Sequence, residues 1–339
     1  MVVFYPDRTY LKIGVETAYA DGGTPATTIG FVTGFNPTLK NNLIPIREIG
    51  GGRNVSTFVY GNFDINGNVD VQVTNDTLDF MKYLIGPRSG SGTTAAPYEI
   101  VEADRVGATA SDIRTVGIEV GSEAGTTDDV DWYKGVHLIS ATFTAAQSAV
   151  LTATINWVAK TMASTTSAGS YTAPTLMPYV FQSGSFKWGT TPTAVALVTS
   201  FAVTMNNNSL IYRVLGDRFI QQPETTIRTY DFTLTVKMSD AIATTLRDDF
   251  YGQANSPVSG TSSTSPLDSG TTPNREIELL FNRGTNDQAQ ILLNDCVIED
   301  MSKPVAVGNE IVEVTFTGFA RSGGRTADAL TPIRWWTSA

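Results

Sequence analysis

Apolar and polar side chains alternate along residues 29–39. Ile29, Phe31, Phe35, Pro37 and Leu39 share one parity, with Thr33 among them. A period of two predicts a strand with one buried face. The same parity returns at Val195, Leu197, Thr199, Phe201, Val203 and Met205, each 166 positions later. A slip of one residue would turn every large side chain to the wrong face, so matched parity over eleven residues predicts a repeated unit.

The following elements repeat as well. Phe63, Ile65, Val69, Val71 and Val73 alternate with Asp64, Asn66, Asn68, Asp70 and Gln72. Tyr230, Phe232, Leu234, Val236 and Met238 alternate with Thr229, Asp231, Thr233, Thr235 and Lys237. Helical spacing comes next: Leu78, Met81 and Ile85 after a cap at Asn75 or Asp76, then Ile242, Leu246 and Phe250 after Ser239 or Asp240. Gly86-Pro87 and Gly252 stop these helices. Further strands are predicted at 115–120, 135–143 and 149–160, then at 276–282, 290–298 and 311–321. Leu151, Ala153, Ile155 and Trp157 match Val312, Val314, Phe316 and Gly318 in parity.

Between the first two strands of each unit the periodicity lapses, which predicts long loops at 40–62 and 207–228. Both lean basic. Lys40, Arg47 and Arg53 stand against Glu48; Arg213, Arg218 and Arg228 stand against Asp217 and Glu224. A Ser/Thr/Ala/Gly-rich stretch at 161–174 marks the boundary between units. The reading is a first domain over 1–165, a linker over 166–176 and a second domain over 177–339. The fold class is mainly β: two tandem β-sandwich or half-barrel domains, each with one short flanking helix and a long inter-strand loop.

Composition agrees. The 339 residues are 41% hydrophobic but only 17% charged, against about 25% in an ordinary domain. Thr, Ser, Asn and Gly fill the difference, as on sheets with polar, uncharged outer faces. A net charge of −10 argues against a phosphate-gripping nucleic-acid binder. One cysteine, Cys296, excludes an intrachain disulfide. The start, Met1 to Arg8, has no basic segment followed by an apolar run, which predicts no signal peptide. No apolar run reaches the roughly 18 residues of a membrane span.

Catalytic constellations are not apparent. The single histidine, His137, has no second histidine for zinc and no Gly-x-Ser-x-Gly elbow to serve. Gly50-Gly51-Gly52 and Ser322-Gly323-Gly324 match no phosphate loop. The segment 99–131 holds nine carboxylates, but their spacing does not match a twelve-residue calcium loop. No catalytic, cofactor or metal residue is assigned. A repeated β unit with long loops and no catalytic set points to assembly.

The opening Gly14-Val15-Glu16-Thr17-Ala18-Tyr19, the strand, long loop, strand and helix of 29–86, and the closing strands resemble the tail tube proteins of long-tailed phages. The resemblance implies a structural virion protein, not an enzyme, made in the host cytoplasm and resident in the viral tail. Family members with one domain form six-membered rings that stack into a channel for the genome. With two units per chain, three chains would complete a ring. Implied partners are further copies of the chain, the tape measure, tail terminator and distal tail proteins, and viral DNA that transits without specific binding; no membrane and no cofactor are implied.

Under that resemblance Asp64, Asn66, Asn68, Asp70, Gln72, Thr229, Asp231, Thr233, Thr235 and Lys237 are lumen candidates. Lys40, Arg47, Glu48, Arg53, Arg213, Asp217, Arg218 and Arg228 are candidates for contact between stacked rings. Trp335 and Trp336, apolar at the end of the chain, are docking candidates, against a neighbour or their own domain. A two-module carbohydrate-binding or adhesive surface protein is the alternative that the same composition allows.

Overall fold

The computed structural model describes the chain apart from residues 1–8, 49–54, 56, 108, 110–111, 123–128, 166–176, 190–191, 196, 239–245, 253–274, 285, 305–311, 326–327 and 338–339. The protein is mainly β. Its first half runs β1 (Thr9–Val15), β2 (Phe31–Ile46), β3 (Thr57–Gln72), α1 (Asn75–Phe80), β4 (Arg88–Ser89), β5 (Tyr98–Ile100), β6 (Val116–Ser122), β7 (Asp129–Ala146), β8 (Thr152–Ala159) and β9 (Thr161–Thr165). The second half runs β10 (Gly184–Gly189), β11 (Thr193–Ala194), β12 (Val198–Asn206), β13 (Thr229–Lys237), α2 (Asp248–Tyr251), β14 (Glu276–Gly284), β15 (Asp287–Ser302), β16 (Glu313–Arg325), β17 (Asp328–Ala329) and β18 (Ile333–Trp336).

One open antiparallel sheet dominates, in the order β2–β3–β8–β7–β12–β13–β16–β15. Its first four strands and its last four follow the same internal order. The registers agree residue by residue. Phe35, Val69, Ile155 and Ala141 lie in one row, and Phe201, Leu234, Phe316 and Met301 lie in the corresponding row. The offset of 166 between Phe35 and Phe201 is the one read from the sequence.

β7 and β15 are the corner strands. The first part of β7 pairs with β6 and β9, and its last part pairs with β8 and β12. The first part of β15 pairs with β14, and its last part with β16. A strand that changes layers needs an irregularity at the bend. Register shifts fall at Leu138/Ser140 and at Ile298/Asp300, and left-handed backbone occurs at Gly135 (φ 65°) and Asp295 (φ 53°). Gly135 suits that conformation because it has no Cβ.

The core lies between the inner face of the large sheet and the layers β1–β6 and β10–β14. Trp157 is fully buried, stacked on Phe35 (5.4 Å between centroids, 12° between planes) and edge-on to Tyr133. Gly67 makes room for it: a Cβ there would stand 2.8 Å from the Trp157 ring. The first helix is capped by Thr74, one residue before the expected cap, and the Thr74 N–H donates to Thr77 Oγ1 (3.2 Å). It tightens into a 3₁₀ turn at Met81–Tyr83, with Leu78, Met81 and Ile85 buried as their spacing requires. The second helix's expected cap lies outside the described residues.

The predicted loop at 40–62 is a hairpin instead. β2 continues to Ile46 and β3 starts at Thr57, paired through Ile46–Thr57. The two-stranded ribbon has solvent on both faces, so nothing imposes alternation and the period-two signal vanishes. Its counterpart at 207–228 has no strand, only a bridge between Leu210 and Glu224.

Replacing Trp157 with Ala lowers the free energy of unfolding by about 3–5 kcal/mol. Asn156→Ala, on the opposite face beside Ser140, costs about 1 kcal/mol or less. Urea denaturation of the unassembled chain separates the two.

Candidate assembly surfaces

The outer face of the large sheet is mostly polar, its charges are mainly carboxylates, and Phe319, next to Asp231 and 45% exposed, is an apolar exception. Asp70, Thr154, Thr142, Thr204 and Asp231 form one row across five strands. Gln72, Thr152, Thr144, Ala202, Thr233, Thr317 and Asp300 form the next. Neither row holds a lysine or an arginine. Asp70 is held by Thr154 Oγ1 (2.7 Å), Asn68 Nδ2 (2.9 Å) and Asn36 Nδ2 (3.3 Å). Thr142 and Thr204 hydroxyls meet at 3.0 Å across the β7–β12 seam, and Thr235 and Thr315 at 3.2 Å. Cross-strand pairs of this kind fix the side chains of the face and leave few free donors.

Asn68, Asp70, Gln72, Asp231, Thr233 and Thr235 stand on this face as the alternation requires. Asn66 is exposed beyond Asn68, and Thr229 lies at the far end near Asn208. Lys237 lies opposite Glu313. Asp64 leaves the open face: Arg213 and Asn42 (2.6 Å) bind its carboxylate at the root of the hairpin. The sequence reading nominated two strands, whereas the face spans eight. Thr152, Thr154, Asn156, Thr142, Thr144, Thr204, Thr315 and Thr317 belong to it. Their own polar parity was the available signal.

The hairpin of β2 and β3 projects past the sheet with Leu43, Ile44, Phe58, Val59 and Tyr60 exposed, Phe58 by 60% and Tyr60 by 65%. Lys40, Arg47 and Glu48 are exposed along it, and Arg53 lies outside the described residues. The segment 207–228 packs against the hairpin's root. Phe63 N–H donates to the Arg218 carbonyl (3.0 Å), and Arg218 donates to Gly61 O (2.7 Å) and Asn41 Oδ1 (2.5 Å). The Arg218 guanidinium covers Tyr60, and Phe219 meets Phe63 edge-on.

Arg228 pairs with Glu102 at 3.3 Å and donates to Ile85 O (3.0 Å). Glu102 also accepts from Tyr230 (2.5 Å) and from Gly323 N–H (2.9 Å). Asp217 accepts from Phe219 N–H and Gln221, closing its own turn. The basic side chains of this segment, Arg213, Arg218 and Arg228, thus all bind groups of the first half of their own chain, Arg213 and Arg228 part-buried and Arg218 still exposed. Leu215 and Ile227 of this segment remain exposed.

Trp335 and Trp336 sit on β18, which bridges β15 and β5. Trp335 is buried against Tyr98 (5.3 Å), so the end of the chain docks on its own two halves.

His137 is completely buried, with Nε2 2.7 Å from Ser209 Oγ. Burial lowers its pKa to about 4. Cys296 is buried, and burial raises its thiol pKa. Among the described residues no group of three His, Cys, Asp or Glu side chains is placed to hold a metal ion, and no helix is long and apolar enough to cross a membrane.

The family described as phage tail tube protein matches residues 6–320, nearly the whole chain. No curated protein matches the chain.

His137 makes stability depend on pH. Between about pH 6.5 and pH 4 the unfolded chain binds a proton that the folded chain refuses, so stability falls as pH falls through that window. The loss is roughly 3 kcal/mol at pH 4 relative to pH 7.5. Urea midpoints at the two pH values measure it, and His137→Asn shows a smaller difference.

Proposed function

The chain belongs to the phage tail tube protein family, a structural component of the virion tail, and from that premise we propose that three copies close a ring and that rings stack into the tube. Each chain supplies two equivalent wedges, its first and second halves, so the ring has threefold symmetry and a pseudo-sixfold wall. The observation that carries this reading is the large sheet. Its two four-strand sets join side by side through β7 and β12, and its outer edges at β2 and at the end of β15 carry no strand partner among the described residues. Closure around a ring removes those edges.

The polar outer face of the sheet lines the channel in this arrangement. Apart from Lys237, which lies opposite Glu313, and Lys40 at the β2 edge, its Thr, Asn, Ser and Asp side chains present no cation to phosphate, so DNA slides past without adhering. The apolar hairpin of β2 and β3 meets the adjacent ring; a two-stranded ribbon is marginal alone and gains from such a partner. Tape measure, tail terminator and distal tail proteins are the expected neighbours inside and at the ends of the tube.

Native mass spectrometry of the purified chain should give a smallest stable assembly of three copies, and electron microscopy should show rings or tubes. A chain that stays monomeric at high concentration overturns the reading. Asp231→Lys combined with Thr233→Lys should slow genome release from particles whose tubes assemble to normal length. Unchanged release kinetics overturn the channel assignment.

A further inference from the structure

Resting on the ring reading, we propose that the seam between one chain and the next repeats, residue for residue, the seam inside the chain. Residues 36–40 of one copy pair with residues 300–304 of its neighbour, Lys40 opposite Asp300.

The internal seam has two parts. In the first, β12 pairs with β7 from Asn206↔Ser140 to Ser200↔Ala146. In the second, the strand leading into the second half plugs into the first half. Tyr179 N–H donates to Val73 O (3.0 Å) and Leu151 N–H donates to Tyr179 O (2.8 Å). The Tyr179 side chain is fully buried, with its hydroxyl on Asn75.

The registers transfer the first part to the open edges. Met301 is to Phe316 what Ala141 is to Ile155, and Leu39 is to Ile65 what Met205 is to Tyr230. The pairs Asn206↔Ser140, Met205↔Ala141, Thr204↔Thr142 and Val203↔Phe143 therefore become Lys40↔Asp300, Leu39↔Met301, Thr38↔Ser302 and Pro37↔Lys303. Lys40 and Asp300 make no ion pair among the described residues, and Leu39 is 42% exposed.

Backbone direction agrees. Asn207 N–H donates to Ile139 O (3.0 Å), so Met205 and Val203, of the same parity, also face β7. Leu39 and Pro37, their equivalents, face the open edge. Pro37 has no N–H, so the seam lacks one ladder bond, which blunts the edge against indiscriminate pairing. Met301 N–H, on the matching open edge, is turned back to its own Asp300 Oδ1 (2.8 Å). Pairing would free Asp300 for Lys40.

The test is oxidative cross-linking. Thr38→Cys with Ser302→Cys places thiols at a non-hydrogen-bonded pair, whose side chains are close enough for a disulfide. Cys296 is buried and does not compete. Assembled protein should oxidise to covalent closed trimers, whereas Asn36→Cys with Asp300→Cys, shifted along the edge, should not. Lys40→Asp and Asp300→Lys should each raise the concentration needed for assembly about tenfold, and the double exchange should restore it. Tubes that form without the 38–302 cross-link, or with the shifted one, overturn the register and leave the ring standing. An unsubstituted chain that forms no ring overturns the ring reading instead.

Discussion

An antiparallel sheet is stable in its interior and unfinished at its borders. Every second residue of a border strand directs an N–H and a C=O away from the sheet, and water is the only partner unless another strand arrives. In this protein the border of the first four-strand set is not left to water. β12 covers β7, and the two sets become one sheet of eight strands. The hydroxyl contact between Thr142 and Thr204 and the insertion of Tyr179 reinforce that seam from both faces. The rest of the architecture follows from it: an apolar side buried under the smaller layers, and a polar side spanning both halves.

The two halves share a strand order but not a surface. In the first, the connection between the leading strands rises as a bare ribbon with aromatic and aliphatic side chains in solvent. In the second, the connection folds down and places three arginines on the first half. One connection braces the root of the other, so the ribbon that projects is also the one that is anchored. Glu102 gathers Arg228, Tyr230 and Gly323 at a second joint between the halves, and β18 adds a third by linking β5 to β15.

Strands with one buried face were legible because burial imposes a period of two, and the 166-residue offset reappears in the pairing of Phe35 and Phe201 with their neighbours. The ribbon was not legible because a strand wet on both faces has no reason to alternate. The engagement of Arg213, Arg218 and Arg228 was hidden for another reason. Composition marks a segment as basic, but the carboxylates and carbonyls that receive it, Asp64, Gly61 and Glu102, lie more than a hundred residues away. The width of the polar face was understated because Thr142, Thr204 and Thr315 join it only through registers that pair distant strands.

The unlike connections have a geometric consequence in the proposed ring. A wall with six equal staves would let a second storey settle at any multiple of a sixth of a turn. Here only alternate staves carry a prong, while those between them carry a buttress. Docked neighbours would therefore index in thirds, and the pitch of the finished cylinder would be keyed by one covalent chain rather than by the smoother symmetry of its wall.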